Sequence, residues 1–307
     1  MKKLVLLDGH AIIHRAFHAI PEKFSTQSGE PTNAIFGFTS MLLNVIELEQ
    51  PDCIAVAFDR KGKTFRHHAD ESYKATRAKT APELIAQIKR VYEIVRAFSI
   101  PIFSENGFEA DDILGAICQK VKAENDVQAI IVSGDRDLLQ LVDKQVSVHD
   151  LSGGYRKAIK FTPAEVREKY GFPPKLIPDF KGLSGDASDN LKGVEGIGPK
   201  TATDLITQFG TLEKIYENLE NIKPTIREKL ERDRENAFLS KRLATIRCDA
   251  QIDFDLAKCQ VENFDRQQVS KLFAELEFHS LEKRLTKIFP PQAVSTEKKS
   301  IEQPSLF

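Results

Sequence analysis

Three carboxylates fall within four residues at Glu109-Ala110-Asp111-Asp112, between an apolar run (Ile100, Ile102, Phe103) and a segment whose apolar residues recur at helical spacing (Ile113, Leu114, Ile117, Cys118, Val121). One acid suffices to cap a helix, whose first turn leaves N–H donors unpaired and favours negative charge. Three packed together repel, and only protonation or a cation offsets that cost. More acids punctuate the chain: Asp8, Asp59 and the pair Asp135 and Asp137 each follow an apolar run, and Asp186 and Asp189 stand in Gly185-Asp186-Ala187-Ser188-Asp189-Asn190. Singly, an aspartate after a strand is ordinary turn chemistry. Gathered in one place, such acids need divalent ions. The donors are hard oxygens, and no cysteine or histidine is read as a ligand, so Mg2+ or Mn2+ is expected in preference to zinc.

Convergence depends on the elements that carry the acids. Leu4 to Leu7 ends in Asp8-Gly9, Cys53 to Phe58 ends in Asp59, Ala129 to Val132 leads to Asp135, and Val146 to Val148 ends near Asp150. Continuous apolar runs of this length read as buried parallel strands, and open α/β sheets bind ligands at the C-terminal edge of such strands. Helical periodicity over 33–49 and 82–98, and again after Glu109, supplies the flanking helices. From about Phe161 the pattern is helical throughout, with Pro163, Pro173 and Pro174 at helix starts. The expected organisation is an α/β unit over 1–155, a helical unit over 156–290 with the junction near 152–160, and a polar tail over 291–307.

Lys3 is followed by only four apolar residues before Asp8, and no run can span a bilayer, so neither a signal peptide nor a transmembrane helix is expected and the chain is placed in the cytoplasm. Cys53, Cys118, Cys248 and Cys259 show no metal-binding spacing and are expected as reduced thiols. A net charge of −1 gives no global attraction to polyanions, so any such contact must come from local patches. Between Asp59 and Pro82 the cations Arg60, Lys61, Lys63, Arg66, Lys74, Arg77 and Lys79 are interleaved with Phe65, His67, His68 and Tyr73, a mixture suited to phosphate contacts and base stacking. In Gly193-Val194-Glu195-Gly196-Ile197-Gly198-Pro199-Lys200-Thr201-Ala202, Gly196 and Gly198 allow close backbone approach and Pro199 starts a helix whose free N–H groups, with Lys200, receive an anion. No strand precedes this segment, so it is read as a helical hairpin contacting duplex backbone and not as a dinucleotide fingerprint. A further cationic stretch over 223–247 is diluted by acids and is read as a solvated helix face.

With those residues in place the chain resembles the 5′ nuclease (flap endonuclease) family, and most closely the 5′–3′ exonuclease domain of bacterial DNA polymerase I. The matching motifs occur in order: Leu6-Leu7-Asp8-Gly9, Ala57-Phe58-Asp59 with Lys61-Gly62-Lys63-Thr64-Phe65-Arg66, Glu109-Ala110-Asp111-Asp112, Gly134-Asp135-Arg136-Asp137, and Gly185-Asp186 through Asp189-Asn190 followed by Gly196-Ile197-Gly198. The resemblance implies a PIN-like, mostly parallel sheet with flanking helices and a helical arch near 60–82, followed by a helix-hairpin-helix domain. It implies one metal on Asp8, Asp59, Glu109 and Asp111, with Asp112, Asp135, Asp137, Asp186 and Asp189 around a second. It assigns Tyr73, Lys74 and Arg77 to steering the scissile phosphate, Lys61, Lys63, Phe65 and Arg66 with Gly196, Ile197, Gly198, Lys200 and Thr201 to DNA, and a potassium ion to the hairpin.

The polymerase and proofreading domains of that family member are absent from these 307 residues, so a stand-alone, monomeric nuclease is expected. The terminal Gln303-Pro304-Ser305-Leu306-Phe307 resembles the motif by which bacterial replication proteins dock on the sliding clamp. The expected reaction is two-metal hydrolysis at 5′ ends and 5′ flaps of DNA, including RNA primer residues, with ions about 4 Å apart. It would serve replication and repair near the nucleoid. A phosphatase of the haloacid dehalogenase type needs an aspartate where His10 stands. An inactive branched-DNA binder would not need the full set of acids. A PIN-type Mg2+-dependent ribonuclease is the alternative, and it leaves the hairpin at 193–202 without a purpose.

Overall fold

The apolar runs form one six-stranded sheet in the computed structural model, which describes residues 1–21, 23–124, 126–151, 158–261 and 264–290. Its order is β3 (Ile102–Phe103), β2 (Cys53–Ala57), β1 (Lys2–Asp8), β4 (Val127–Ser133), β5 (Val146–Asp150) and β6 (Ile159–Phe161). The first five strands run parallel, and β6 returns antiparallel to β5. Register sets Asp8 beside Ala57 and Leu7 beside Val132, so β1, β2 and β4 finish level and the acids after them emerge on a common edge.

Alternation along the strands sorts the core onto two faces. Leu4, Leu6, Ala55 and Ile131 pack with α5 (Ala110–Val121) and with the helices of the second half, α6 (Pro163–Tyr170), α7 (Ile177–Ser184), α8 (Pro199–Phe209), α9 (Leu212–Glu217), α10 (Pro224–Arg232) and α11 (Arg234–Ala244). Val5, Leu7, Val56 and Val132 pack with α1 (Gly9–Ala19), α2 (Asn33–Glu49) and α4 (Pro82–Ala97). The last helices, α12 (Arg266–Glu275) and α13 (His279–Ile288), return to this second face: Phe273, Phe278, Leu281 and Leu285 join the cluster of Phe38 and Val91, and Arg284 Nη2 bonds Asn44 at 2.9 Å.

Three elements differ from the sequence expectation. Helix α1 begins directly at the end of β1, where Asp8 Oδ1 accepts a bond from Ala11 N at 3.1 Å as its N-cap. Gly9 permits the abrupt join, since a Cβ there would lie 2.2 Å from the Phe58 ring. The stretch expected as a helical arch holds only α3 (Phe65–Ala69), turns over 71–76, and irregular chain up to Pro82, because its charges and aromatics do not repeat at helical spacing. Strand β6 occupies the end of the stretch read as the junction and the first residue of the pattern read as helical.

The expected junction falls mainly on 152–157, outside the described residues, as do the tail residues Gln303, Leu306 and Phe307. No described helix is long and apolar enough to cross a membrane. All four cysteines are free thiols.

Candidate active site

At the C-terminal edge of the sheet a cavity of about 690 Å³ is lined by Asp8, Asp59, Glu109, Asp111 and Asp135, with Lys74 and Arg77 beside them. Each acid is delivered by a strand end or a helix start. Asp8 ends β1 and shares its Oδ2 with Ser133 Oγ of β4 at 2.6 Å, while Asp135 follows β4 and caps a short 3-10 turn through Asp137 N at 2.9 Å. Asp59 lies just past β2 and accepts from Ala110 N at 2.6 Å, which ties it to the start of α5. A slightly larger hollow, about 790 Å³, opens elsewhere beside Cys53 and Phe289, and its Glu47 is already paired with Lys287 at 3.3 Å.

Burial raises the pKa of three of the acids, of which Asp8 and Asp111 have no lysine or arginine ion pair and Asp137 has Lys181. Asp8 is pushed up to about 7 by desolvation, only partly relieved by Ser133 and Ala11 and reinforced by Asp59 and Asp135. Asp111 is held well above the ordinary carboxylate range by burial, then by Asp135 and Asp8. Asp137 is also raised to about 7, by burial and Asp135.

Glu109, Asp137, Asp186 and Asp189 carry built-in cations. Lys74 Nζ is 2.8 Å from Glu109 Oε2, Arg77 Nη2 is 2.6 Å from Asp189 Oδ1, and Lys181 on α7 bridges Asp137 and Asp186. Tyr73 is 3% exposed, and its hydroxyl lies 3.2 Å from both Glu109 Oε2 and Asp189 Oδ2. Lys74 adopts a left-handed φ of +56°, held by its N–H to Asp189 O at 3.0 Å. Asn190 Nδ2 donates to Ser72 O at 2.7 Å. The base of the 60–82 segment is therefore pinned to the 186–190 loop.

Several expected site residues lie elsewhere. Asp112 is fully buried and does not line the cavity: Arg66 Nη1 and Nη2 donate to it at 2.7 and 2.9 Å, and Glu109 N and Arg247 N at 3.0 and 2.9 Å. Arg66, expected on DNA, is 3% exposed and is consumed by that pair and by Leu243 O. Phe65 stacks under Arg66 and Arg247 at 4.4 and 5.0 Å. Lys61 and Lys63 are exposed. In the hairpin Ile197 is 3% exposed and packs into the core, while Gly196, Gly198 and Lys200 are exposed and Thr201 is half-buried.

Sequence reasoning passed over other residues. His10, His14 and His18 repeat every fourth residue of α1 and line the same cavity, a spacing readable once α1 is drawn. Asp59 N donates to His10 Nδ1 at 3.1 Å, and burial lowers the His10 pKa against the pull of Asp59. The stretch read as a solvated face also reaches the hairpin, with Lys229 Nζ on Gly196 O at 3.0 Å and Arg232 Nη2 on Glu195 O at 3.2 Å.

Residues 3–171 match the family described as 5′-3′ exonuclease, N-terminal resolvase-like domain, and 172–267 match 5′-3′ exonuclease, C-terminal SAM fold. DNA polymerase I of Caldicellulosiruptor bescii is 44% identical over 285 residues, covering 92% of this chain and 33% of that protein; the Bacillus subtilis DNA polymerase I is 40% identical over 285 residues, covering 92% and 32%. The chain thus spans about a third of the length of the curated relatives it matches. Among solved structures, T5 5′-exonuclease with bound divalent zinc ions aligns with a TM-score of 0.67 at 20% identity, covering 90% of this chain and 99% of that one. The catalytic core of Rad2 in complex with DNA substrate aligns at 0.60 and 16% identity, covering 94% and 92%. At these identities the structures show the shared fold, and with the sequence match over most of its length the chain belongs to the 5′–3′ exonuclease family of nucleases.

Proposed function

We propose that the chain hydrolyses DNA phosphodiesters at 5′ ends and 5′ flaps with two divalent cations, Mg2+ or Mn2+. The observation that carries this reading is the cavity where the parallel strands end, which gathers five acids beside Lys74 and Arg77. The donors fit hard divalent ions: they are carboxylate oxygens, and burial and mutual repulsion raise Asp8, Asp111 and Asp137, a penalty that a cation removes. Asp8, Asp59, Glu109, Asp111 and Asp135 would hold one ion, and Asp137, Asp186 and Asp189 another. Asp112 serves as the buried partner of Arg66, which fixes the start of α5. Bound ions would supply activation of water at neutral pH and neutralisation of the leaving oxygen.

The chain's own groups position the substrate. A phosphate entering at the rim replaces Glu109 and Asp189 as partner of Lys74 and Arg77, whose charges are already fixed in place. Tyr73, buried, orients those two acids. Upstream of the cut, α8 offers its N-terminal N–H groups, Gly198 and Lys200 to duplex backbone, with Thr201 adjacent and Lys61 and Lys63 exposed for the single strand. A K+ ion would be held at the hairpin near Gly196 and Gly198, where Lys229 competes for the Gly196 carbonyl. The division into a nuclease unit (1–155) and a helix-hairpin-helix unit (156–290), action on RNA primer residues, clamp docking through Gln303, Leu306 and Phe307, a monomeric state and a cytoplasmic, nucleoid-associated location belong to the same proposal.

Gly198 offers a direct check of the duplex contact. Its φ is −85° and a Cβ there meets nothing within 4 Å, so Gly198→Val should leave the fold intact. The branched side chain would obstruct phosphate approach, with an expected loss of about tenfold in duplex affinity by fluorescence anisotropy, the worth of one charged hydrogen bond. Unchanged affinity refutes the hairpin assignment. The activity itself is tested by incubating the protein with 5′-flapped DNA and with single-stranded RNA, in Mg2+ or EDTA. Mg2+-dependent release of the flap is expected; cleavage of the RNA alone would favour the PIN-type ribonuclease reading.

A further inference from the structure

The acids of the site divide by what neutralises them. Among the described residues Asp8, Asp59, Asp111 and Asp135 have no lysine or arginine ion pair, whereas Asp137 and Asp186 share one ammonium, that of Lys181. Lys181 stands on α7, its side chain 15% exposed, with Nζ 2.5 Å from Asp186 Oδ2 and in direct contact with Asp137 Oδ1. Asp137 is itself buried, so this contact lies mostly out of water. A single positive charge is thus held between two carboxylates from separate parts of the chain.

We propose that Lys181 is a built-in counter-cation occupying the second cation position, so that a divalent ion enters between Asp137 and Asp186 only by displacing its ammonium. This deepens the two-cation reading and depends on it. An ammonium and a divalent ion cannot both occupy contact distance from the same two oxygens, because they repel each other in a site of low dielectric. Displacement costs Lys181 two ion pairs that are mostly removed from water, and breaking such pairs is expensive. The first position, among Asp8, Asp59, Asp111 and Asp135, has no such competitor. The two positions therefore differ in affinity, and the second fills late.

The test is Mn2+ binding to the DNA-free protein at neutral pH, read by the electron paramagnetic resonance of free Mn2+ and by calorimetry. Wild type should bind one ion tightly and a second at least about tenfold more weakly. Lys181→Met should tighten the second ion by about tenfold or more, and Lys181→Arg should return it to the weak value. The metal-free melting temperature of Lys181→Met should fall, since Asp137 and Asp186 then face each other uncompensated, and Mn2+ should restore it. If Lys181→Met is too unstable to titrate, Lys181→Gln removes the charge and gives the same readout. Equal second-ion affinity in wild type and the uncharged variants overturns the role of Lys181 while leaving the two-cation site standing. Absence of any bound Mn2+ in every protein overturns the two-cation reading itself.

Discussion

Replacing Asp111 with asparagine should raise the melting temperature of the EDTA-treated protein and abolish cleavage. Asp111 lines the cavity, and burial, followed by Asp135 and Asp8, holds its carboxyl well above the ordinary 3.8. In the unfolded chain the same group ionises near its ordinary value. A raised folded pKa means that folding costs nothing extra at low pH and loses stability as pH rises above the unfolded value towards the folded one. The metal-free wild type should accordingly lose stability between about pH 4 and 7, the window set by the ordinary 3.8 and by Asp8 and Asp137 at about 7. Asparagine removes one charge from this repelling set, so a gain of about 5 °C is expected near pH 8 in EDTA, and little change at pH 4. In Mg2+ the order should reverse, because the variant lacks a ligand that the cation would use. Flap cleavage should drop on the order of 10³-fold, the several kcal/mol that metal-assisted charge neutralisation supplies. A variant that is less stable in EDTA, or that cleaves normally, would contradict this assignment.

Asp112→Leu should do the opposite, destabilising the fold strongly while leaving cation binding in the surviving folded molecules unchanged. Its carboxylate receives both terminal nitrogens of Arg66, and its loss strands a guanidinium that is 3% exposed. Breaking one side of a buried pair costs about 3–5 kcal/mol, which corresponds to a fall of roughly 8 °C in Tm for a chain of this size. The double variant Asp112→Leu with Arg66→Met should recover most of that loss, since no buried charge remains unpaired. Thermal denaturation of both variants, with Mn2+ titration of each, separates the two roles open to Asp112. A ligand would lose an ion at small cost in Tm; a scaffold residue would keep the ion at large cost.

Much of this architecture was legible because buried parallel strands leave continuous apolar runs, and the runs ending at Asp8, Asp59 and Asp135 mark the edge where the acids meet. The distinction between Asp111 and Asp112 was partly legible. Neighbouring residues on a helix face different directions, and with Glu109 as N-cap, Asp112 is the third helical residue, which reaches back to the cap N–H at 3.0 Å. What turns it inward is Arg66, 46 positions away, and no local pattern announces that pair. Helix α1 carried a signal, with Ile12, Ile13, Ala16 and Phe17 on one face, hidden by the tight join at Gly9. Lys181 carried none: a lone cation on a short helix reads as solvated until the fold brings Asp137 and Asp186 to it. The cations over 223–247 mislead in the same way, since alternating charge looks identical whether Lys229 faces water or the Gly196 carbonyl.

The most direct test of the central claim, that the carboxylates at the sheet's C-terminal edge form a divalent-cation site, is anomalous diffraction from crystals grown in Mn2+. A strong peak is expected among Asp8, Asp59, Asp111 and Asp135, with their oxygens turned towards it. A cavity without anomalous density at saturating Mn2+, with Asp8 still held by Ser133 and the other acids dispersed, would contradict the claim.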